Sequence, residues 1–464
     1  MRTPTQLDHD LFRILLYRRD SSELLLETDG ECLQLPTTSI PKHTRVAEQL
    51  TKAIKDEWDL DTFCLFPVCG DDSPGASVPC HVAELCSPEV GAPATMRWLR
   101  TISLSPTDFR DQVDFTGIQA SLAKFDQFRR GKLPGAFGTP DWLRTVSEWV
   151  AAQAGAVGLS LTGNFRQFNS SQTFSLLRFE TDGPALWFKA VGEPNVHEFS
   201  ITLYLARLLQ SFVPRVIASH PEWNAWLSLE AEGTHLSGTT PLNAWRRAAA
   251  TLAHLQIASC GHGLHLIDAG CRDIRVCSLL PLVDPFFERV AELMELQTKP
   301  SPLPLPRTEI RALAAEIRSS LEELNACEIP NVIGHLDFNP RNILVSPERC
   351  VFLDWAEGSV GHPFFTFQYL LELWRRFHCT EIDSQKALVS QYAFAWQTFA
   401  SPDDIEKKLA LMPLLAAFAY ATALGWNNPD ACRYPLIARY LRSLTRRMMR
   451  EADALRERRV ACVV

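Results

Sequence analysis

The chain has no apolar run long enough to cross a bilayer, no Cys-x-x-C pair, no excess of basic residues and no internal repeat. Each absence excludes a class of function. The longest apolar stretch, Leu409 to Trp426, is broken by Pro413 and Gly425. Its about a dozen uninterrupted apolar residues fall short of the roughly 20 a membrane span needs, so it predicts a buried helix and no membrane partner. Met1 to Asp10 carry Arg2, Asp8 and Asp10 with no apolar run behind them, so neither a secretory signal nor a transit helix is expected. Basic residues number 46 against 54 acidic ones, a net of -8, which supplies no global field for a polyphosphate backbone and predicts no nucleic-acid partner. The 13 cysteines are odd in number and scattered from Cys32 to Cys462, which fits reduced thiols in a cytoplasmic protein. The nearest approach to a metal cluster is Cys260, His262 and His265, followed by Cys271 and Cys277. Lacking paired ligands at tight spacing, it reads as a helix end at Gly261 with ordinary core thiols rather than as a zinc site.

What is present is ordinary globular composition. The 464 residues are 46% hydrophobic, 10% aromatic and 22% charged, and at roughly 150 residues per domain they form about three folding units. Short apolar runs at 12–17, 23–26 and 33–36 predict strands, and Val46, Leu50, Ile54 and Trp58 recur every four residues as one helical face with Thr44 as N-cap. Three more strand-like runs follow (63–68, 79–85 and 96–104), which makes residues 1–106 a small α/β domain. Residues 107–157 read as a polar helical connector. From 158 to 235 the pattern is three antiparallel strands with an Asp-Gly turn at Asp182 and Gly183, a helix at 195–210, and two more strands. Residues 236–464 are predominantly helical, interrupted by the Pro-rich segment at 299–307.

The informative segment is IPNVIGHLDFNPRNILVSPERCVFLDWAEG, residues 329–358. It holds His335-x-Asp337, then Asn342 five residues after the aspartate, then an apolar run leading into Asp354. Phosphoryl transfer from ATP needs a carboxylate to orient an attacking hydroxyl and oxygen ligands for magnesium. A loop with Asp337 and Asn342, followed by a short hairpin that returns Asp354, can bring all three groups to one triphosphate. About 150 residues upstream, Lys189 ends an apolar strand and Glu198 follows on a helix. A strand lysine held by a helix carboxylate is the other half of such a site.

On GHLDFNPRNIL, FLDWAEGSVGHPFF, WFKAVGEPNVHEF and WLSLE, residues 158 to about 450 resemble the aminoglycoside phosphotransferase and choline-kinase-like family. The resemblance implies an α+β, bilobal protein-kinase-like fold, with a small antiparallel-sheet lobe and a large helical lobe. It implies Asp337 as catalytic base, Asn342 and Asp354 as magnesium ligands, Lys189 as phosphate clamp with Glu198 as partner, and Leu229 and Glu230 at an adenine-side hinge. His335 would brace the catalytic loop. Two departures stand out: Thr366 occupies a position where the family often has an aspartate, and the phosphate-covering loop NFRQFNSSQTF lacks Gly-x-Gly, leaving Ser170, Ser171 and backbone amides for that role.

The first domain resembles a Nudix hydrolase domain, with Thr38, Thr44, Lys52, Ala53, Asp56, Glu57 and Asp59 at the box positions. Ala53 stands where the metal-binding glutamate belongs, so the resemblance implies the fold without diphosphate hydrolysis. From Arg433 to Arg459 nine arginines face three acids, a local net of +6 on a helix whose apolar face is Leu436, Ile437, Tyr440, Leu441, Leu444 and Met448. Asp268, Asp273, Glu357 and Glu372 are candidates to line a pocket for a cationic acceptor. The sequence thus predicts an ATP- and magnesium-dependent kinase acting on a hydroxyl of a small molecule such as an aminoglycoside, amino alcohol or sugar. The alternative from another class is a nucleotide-binding pseudokinase that regulates or scaffolds.

Overall fold

The computed structural model describes residues 8–18, 22–30, 32–68, 78–87, 89–131, 137–171, 173–326, 328–378, 381–427 and 435–461. The fold class is α+β, in two compact units: Met1–Phe199 with Arg215–Glu230, and Ser200–Pro214 with Ala231–Val464. No helix among the described residues is long and apolar enough to cross a membrane.

The first unit opens with β1 (His9–Arg18), β2 (Glu23–Asp29), β3 (Cys32–Gln34), β4 (Thr37–Pro41), α1 (Val46–Trp58), β5 (Thr62–Val68), β6 (Cys80–Leu85) and β7 (Met96–Arg100). They form a seven-stranded sheet of order β3-β2-β1-β6-β5, with β4 on β1 and β7 on β2. Only β1 and β6 run parallel within it. The strand β4 was not legible as such, because TTSIP has a single aliphatic residue; Thr38 and Ile40 nonetheless turn inward. Alternation along β1 puts Ile14 and Leu16 on one face with Leu50 and Ile54 of α1, and Leu15 and Tyr17 on the other. The helix starts one residue later than expected: Arg45 is the N-cap and makes no side-chain cap bond, while the Thr44 hydroxyl donates to the Pro41 carbonyl. Val46 lies exposed and Ala47 takes its place on the buried face.

The stretch 107–157 is helical, but it is core as well as connector. The helices α2 (Gln112–Arg129) and α3 (Trp142–Ala156) bury Ile118, Phe125, Phe128, Trp142, Val146 and Val150. Phe125 sits edge-on to Tyr17 and Phe66 at 5.3 and 5.6 Å. Two of the polar residues that make α2 look solvated, Asp114 and Ser121, are turned inward and matched. The Ser121 hydroxyl lies 2.6 Å from that of Tyr17, and the Asp114 carboxylate accepts from the Leu35 N–H and pairs with Arg13 at 3.1 Å. The same apolar cluster continues into a five-stranded sheet, β8 (Leu161–Ser171), β9 (Phe174–Thr181), β10 (Leu186–Val191), β11 (Val216–His220) and β12 (Ala225–Leu229), of order β11-β12-β10-β9-β8. Leu177, Phe179, Leu186, Phe188 and Leu227 of that sheet share one core with Leu15, Phe63 and Phe66 of the first. The helix α4 (His197–Leu208) begins here, and its later residues Ile201 and Leu205 belong to the core of the second unit.

In the second unit, two three-stranded sheets lie among helices. One has the order β13-β16-β17, made of β13 (Thr234–His235), β16 (Ile343–Val345) and β17 (Cys350–Phe352); the other is β14-β18-β15, made of β14 (Arg272–Ile274), β15 (Val332–His335) and β18 (Gly358–Gly361). The helices are α5 (Leu242–Ala258), α6 (Gly263–Asp268), α7 (Val276–Leu279), α8 (Val283–Glu295), α9 (Arg307–Asn325), α10 (Phe364–Phe377), α11 (Ile382–Trp396), α12 (Pro402–Thr422) and α13 (Pro435–Ala461). The apolar stretch around Pro413 lies in α12 and is buried, from Leu411 and Met412 to Ala421. The helix α13 docks through Ala438, Leu441, Leu444, Met448, Ala452 and Leu455; Leu436 and Tyr440, expected on this face, point outward. Three of its arginines are matched by glutamates: Arg459 pairs with Glu316 and Glu323, Arg456 with Glu316, and Arg447 with Glu372. Arg446 donates to the carbonyls of Pro302 and Leu303 in the Pro-rich segment.

Because Phe125 is fully buried between two aromatic partners, Phe125→Ala should lower the unfolding free energy by about 3–5 kcal/mol. Urea denaturation measures this, and a change below about 0.5 kcal/mol, the range of surface substitutions, would mean that α2 is only a connector.

Candidate functional site

In the second unit the site grows from β15. This strand pairs with β18, His335 opposite Gly358 and Gly334 opposite Ser359. Gly334 is required by close approach: a Cβ there would lie 2.9 Å from both the Ser359 and the Thr366 hydroxyl oxygens. Beyond the strand the chain turns tightly, with the Asn339 N–H donating to the Asp337 carbonyl at 2.8 Å and the Asn339 side chain accepting from the Arg341 N–H. The turn brings Asn342 back over Asp337. Its Nδ2 donates to the Asp337 carbonyl at 3.0 Å and approaches Oδ2 of the Asp337 carboxylate at 3.4 Å. Asn342 is buried and Asp337 is exposed, so the amide can set the carboxylate's orientation while leaving it open to a substrate.

The hairpin β16–β17, with Ile343 opposite Phe352, returns the chain to the start of the loop. There the Leu353 N–H donates to the Asn342 carbonyl at 2.9 Å. Asp354 follows in the left-handed region at φ 63°, ψ 68°, a conformation that a residue other than glycine adopts at an energetic cost and that clusters at functional sites. Its side chain is exposed.

His335 joins the two ends. Its Nε2 is 3.1 Å from the Leu353 carbonyl, and since a carbonyl only accepts, Nε2 carries the proton. Its ring is buried beside Trp355 and Phe338 at 5.0 and 5.8 Å. Burial holds the imidazole below its ordinary pKa, so it is a neutral brace and does not present a reactive nitrogen to solvent. The backbone N–H of His335 donates to Thr366 Oγ1 at 2.9 Å. Thr366, one of the two departures from the family pattern, thus ties the start of α10 to the end of β15. The single sequence gave no signal for this, because any hydroxyl 31 residues away would read the same.

In the first unit, Lys189 of β10 reaches Glu198 in the first turn of α4 at 2.5 Å. The carboxylate is almost fully buried, at 2% exposure, and the ammonium lies over the rings of Phe174 and Trp226 at 5.3 and 5.6 Å. An ion pair this dry is held rigidly, since breaking it would leave an uncompensated charge. Leu229 and Glu230 close β12. Their N–H groups already donate to the carbonyls of Arg215 and Ala185, so these residues can offer a base edge only carbonyls. The Glu230 carboxylate is gripped by Arg178 at 2.7 and 2.9 Å and by Trp187 Nε1 at 3.2 Å. The Arg178 hydrogen bonds hold it below the ordinary carboxylate range. Arg178 and Trp187 were not singled out in the sequence; the signal available was strand alternation, which puts Trp187 on the same face as Lys189. Ser171 ends β8, and its hydroxyl accepts from the Thr173 N–H. The side chain of Ser170 lies outside the described residues.

The acids expected around a cationic acceptor are mostly matched already. Glu357 pairs with Arg272 at 3.1 Å, Asp273 with Arg275 at 2.7 Å, and Glu372 with Arg447. Asp268 is exposed at the end of α6. In the cysteine and histidine group, the His262 ring nitrogen meets the Tyr204 hydroxyl at 3.0 Å, His265 stacks on Tyr204, and Cys271 lies in the core, where burial raises its thiol to about 12.

The sequence profile of the phosphotransferase enzyme family matches residues 192–404. No curated protein matches the chain. Among solved structures it is similar to a macrolide 2'-phosphotransferase of Brachybacterium faecium, at 17% identity over 63% of this chain and 97% of that one, with a TM-score of 0.43. It is similar to a choline kinase of Streptococcus pneumoniae at 13% identity, over 68% and 99% of the two chains, with a TM-score of 0.39. An ethanolamine kinase of Plasmodium vivax shows 13% identity over 69% and 94%, with a TM-score of 0.45.

Two tests follow from the bracing. Thr366→Val orphans the buried His335 N–H and should cost about 1–3 kcal/mol of stability, whereas Thr366→Ser keeps the acceptor and should cost less; equal losses in chemical denaturation would refute the brace. The buried histidines also set an acid limit. Burial pushes His362 down to about 3 and His81 to about 4, so both stay neutral in the native state while the unfolded chain takes up protons below about pH 6.5. Stability should be full above that pH and fall as pH drops from about 6.5 to 5, by up to about 1.4 kcal/mol per pH unit for each histidine. Urea midpoints at pH 7, 6 and 5 check this, and His362→Gln should flatten the slope.

Proposed function

We propose that the protein is an ATP- and magnesium-dependent phosphotransferase that phosphorylates a hydroxyl of a small molecule. The observation that carries this reading is the loop in which the Asn342 amide pins the exposed Asp337, while a hairpin and the His335 imidazole hold the Asp354 strand end against the same loop. The family match at 192–404 supports it.

On this reading Asp337 is the catalytic residue. Its carboxylate accepts the hydrogen bond of the acceptor hydroxyl, turns the oxygen lone pair toward the γ-phosphoryl group and takes the proton as the new P–O bond forms and the bond from the γ-phosphorus to the β,γ-bridging oxygen breaks, that oxygen leaving with ADP. Asn342 contributes twice. Its Nδ2 fixes Asp337, and its Oδ1 joins the Asp354 carboxylate as a hard oxygen donor of the kind magnesium prefers. Among the described residues no group of three His, Cys, Asp or Glu could hold a metal, so two protein donors would share the ion with phosphate oxygens. Magnesium, when bound, neutralises phosphate charge. Lys189, fixed by Glu198, is assigned to the α- and β-phosphates. The polarity of the acceptor is not assigned to Glu357, Asp273 or Glu372, whose charges are matched by arginines. For the first sheet we propose a Nudix-like module without hydrolysis, since Glu57 accepts from the Thr38 hydroxyl and Asp59 pairs with Lys55.

ATP with magnesium should raise the melting temperature of the wild type, because a ligand that binds only the native state stabilises it. Asp337→Asn should keep that shift while losing about 1,000-fold or more in turnover against a panel of hydroxyl acceptors. A wild type with no nucleotide-dependent shift would sink the reading. A shift without any product from the panel would favour a nucleotide-binding pseudokinase.

A further inference from the structure

The seven-stranded sheet has a free edge at β5, and a side chain 103 residues away covers it. Gln167 of β8 is buried at 3% exposure. Its Oε1 accepts from the Cys64 N–H at 2.8 Å and its Nε2 donates to the Cys64 carbonyl at 2.8 Å. A carboxamide carries both a donor and an acceptor, so it can copy the backbone pair that a neighbouring strand would present. The contact falls where both strands are irregular. The pairing of β5 shifts between Cys64 and Phe66, and that of β8 between Gln167 and Asn169. Edge groups left open here would be buried and unsatisfied.

The next residue faces the other way. Phe168, at the irregularity of β8, packs at a tilt against Trp187 at 4.7 Å, and Arg45 and Arg166 lie over its ring at 5.5 and 5.0 Å. Arg166 in turn pairs with Glu48 of α1 at 2.8 Å. Trp187 stands two residues before Lys189 on the same strand face and donates to Glu230. Ser171, the last residue of β8, pairs with Phe174 of β9, whose ring lies beneath the Lys189 ammonium. Hence β8 is gripped from β5 at Gln167 and from α1 at Arg166, and its far end pairs with one ring of the bed of the phosphate-clamping lysine.

We propose that Gln167 is a positioning residue for the nucleotide. By taking the place of a strand at the edge of β5 it fixes β8, and with it the Ser171 end that pairs with Phe174 in the aromatic bed of Lys189. The first sheet thereby acts as the back support of the nucleotide-holding strands. This rests on the phosphotransferase reading above. The role is separable from folding, because the unit's large shared core outweighs the about 1–3 kcal/mol that each orphaned backbone group of Cys64 would cost.

The test uses the full chain with Gln167→Met, which keeps length but removes the amide, and Gln167→Asn, which keeps the amide but shortens its reach. Leu25→Ala, in the core on the other face of the first sheet, is the control for lost stability. Calorimetric Kd for ATP with magnesium and steady-state kinetics are measured where circular dichroism shows each variant folded. Both Gln167 variants should bind about tenfold more weakly, with kcat at saturating ATP within about twofold of wild type. Leu25→Ala should melt earlier with an unchanged Kd. An unchanged Kd in both Gln167 variants overturns the proposal, as does a failure of both to fold, which would make the residue structural only. If the wild type itself binds no nucleotide, it is the phosphotransferase reading that has failed.

Discussion

A neutral imidazole buried between two chain segments is the constraint on which the second unit's Asp337 loop depends. His335 receives a hydroxyl acceptor for its N–H from Thr366 and gives its own ring proton to the Leu353 carbonyl. One residue thus relates the end of β15, the start of α10 and the strand end that carries Asp354. Asn342 adds a second tie across the same loop. Because the ring is dry and surrounded by Trp355 and Phe338, charging it would be expensive, and its geometry is insensitive to pH across the neutral range. The exposed carboxylates Asp337 and Asp354 are therefore carried on a frame whose internal hydrogen bonds are neutral.

What could be read from the sequence was what is encoded locally. Asp337, Asn342 and Asp354 lie within one short segment whose spacing dictates a turn and a hairpin, and Lys189 and Glu198 are nine residues apart on a strand and the helix after it. Contacts between distant segments were not legible. Thr366 looked like a loss because only its identity was visible, not the N–H it meets. The helix α2 looked like a connector because Asp114 and Ser121 are polar, and polarity does not announce that Leu35 and Tyr17 will receive them. Leu436 and Tyr440 fitted the apolar stripe of α13 by period, yet the partner surface begins at Ala438.

Charge shows the same limit. Three of the acids suspected of facing a cationic acceptor are matched by arginines, Glu357 by Arg272, Asp273 by Arg275 and Glu372 by Arg447 of α13. Totals and local sums do not show which charges meet. Partly exposed pairs of this kind contribute little stability individually, but they fix which way each side chain points. The same holds in the first unit, where Arg178 and Trp187 immobilise Glu230 and so remove a carboxylate that could otherwise swing toward a bound base.

The helix α13 has a consequence in time as well as in space. Met448, Ala452 and Leu455 complete the apolar core of the second unit, and they are synthesised about a hundred residues after the loop with Asp337. The core of the second unit is thus spread along the chain from Ile201 to Leu455, and the loop with Asp337 is translated well before the helix that closes the apolar core around it.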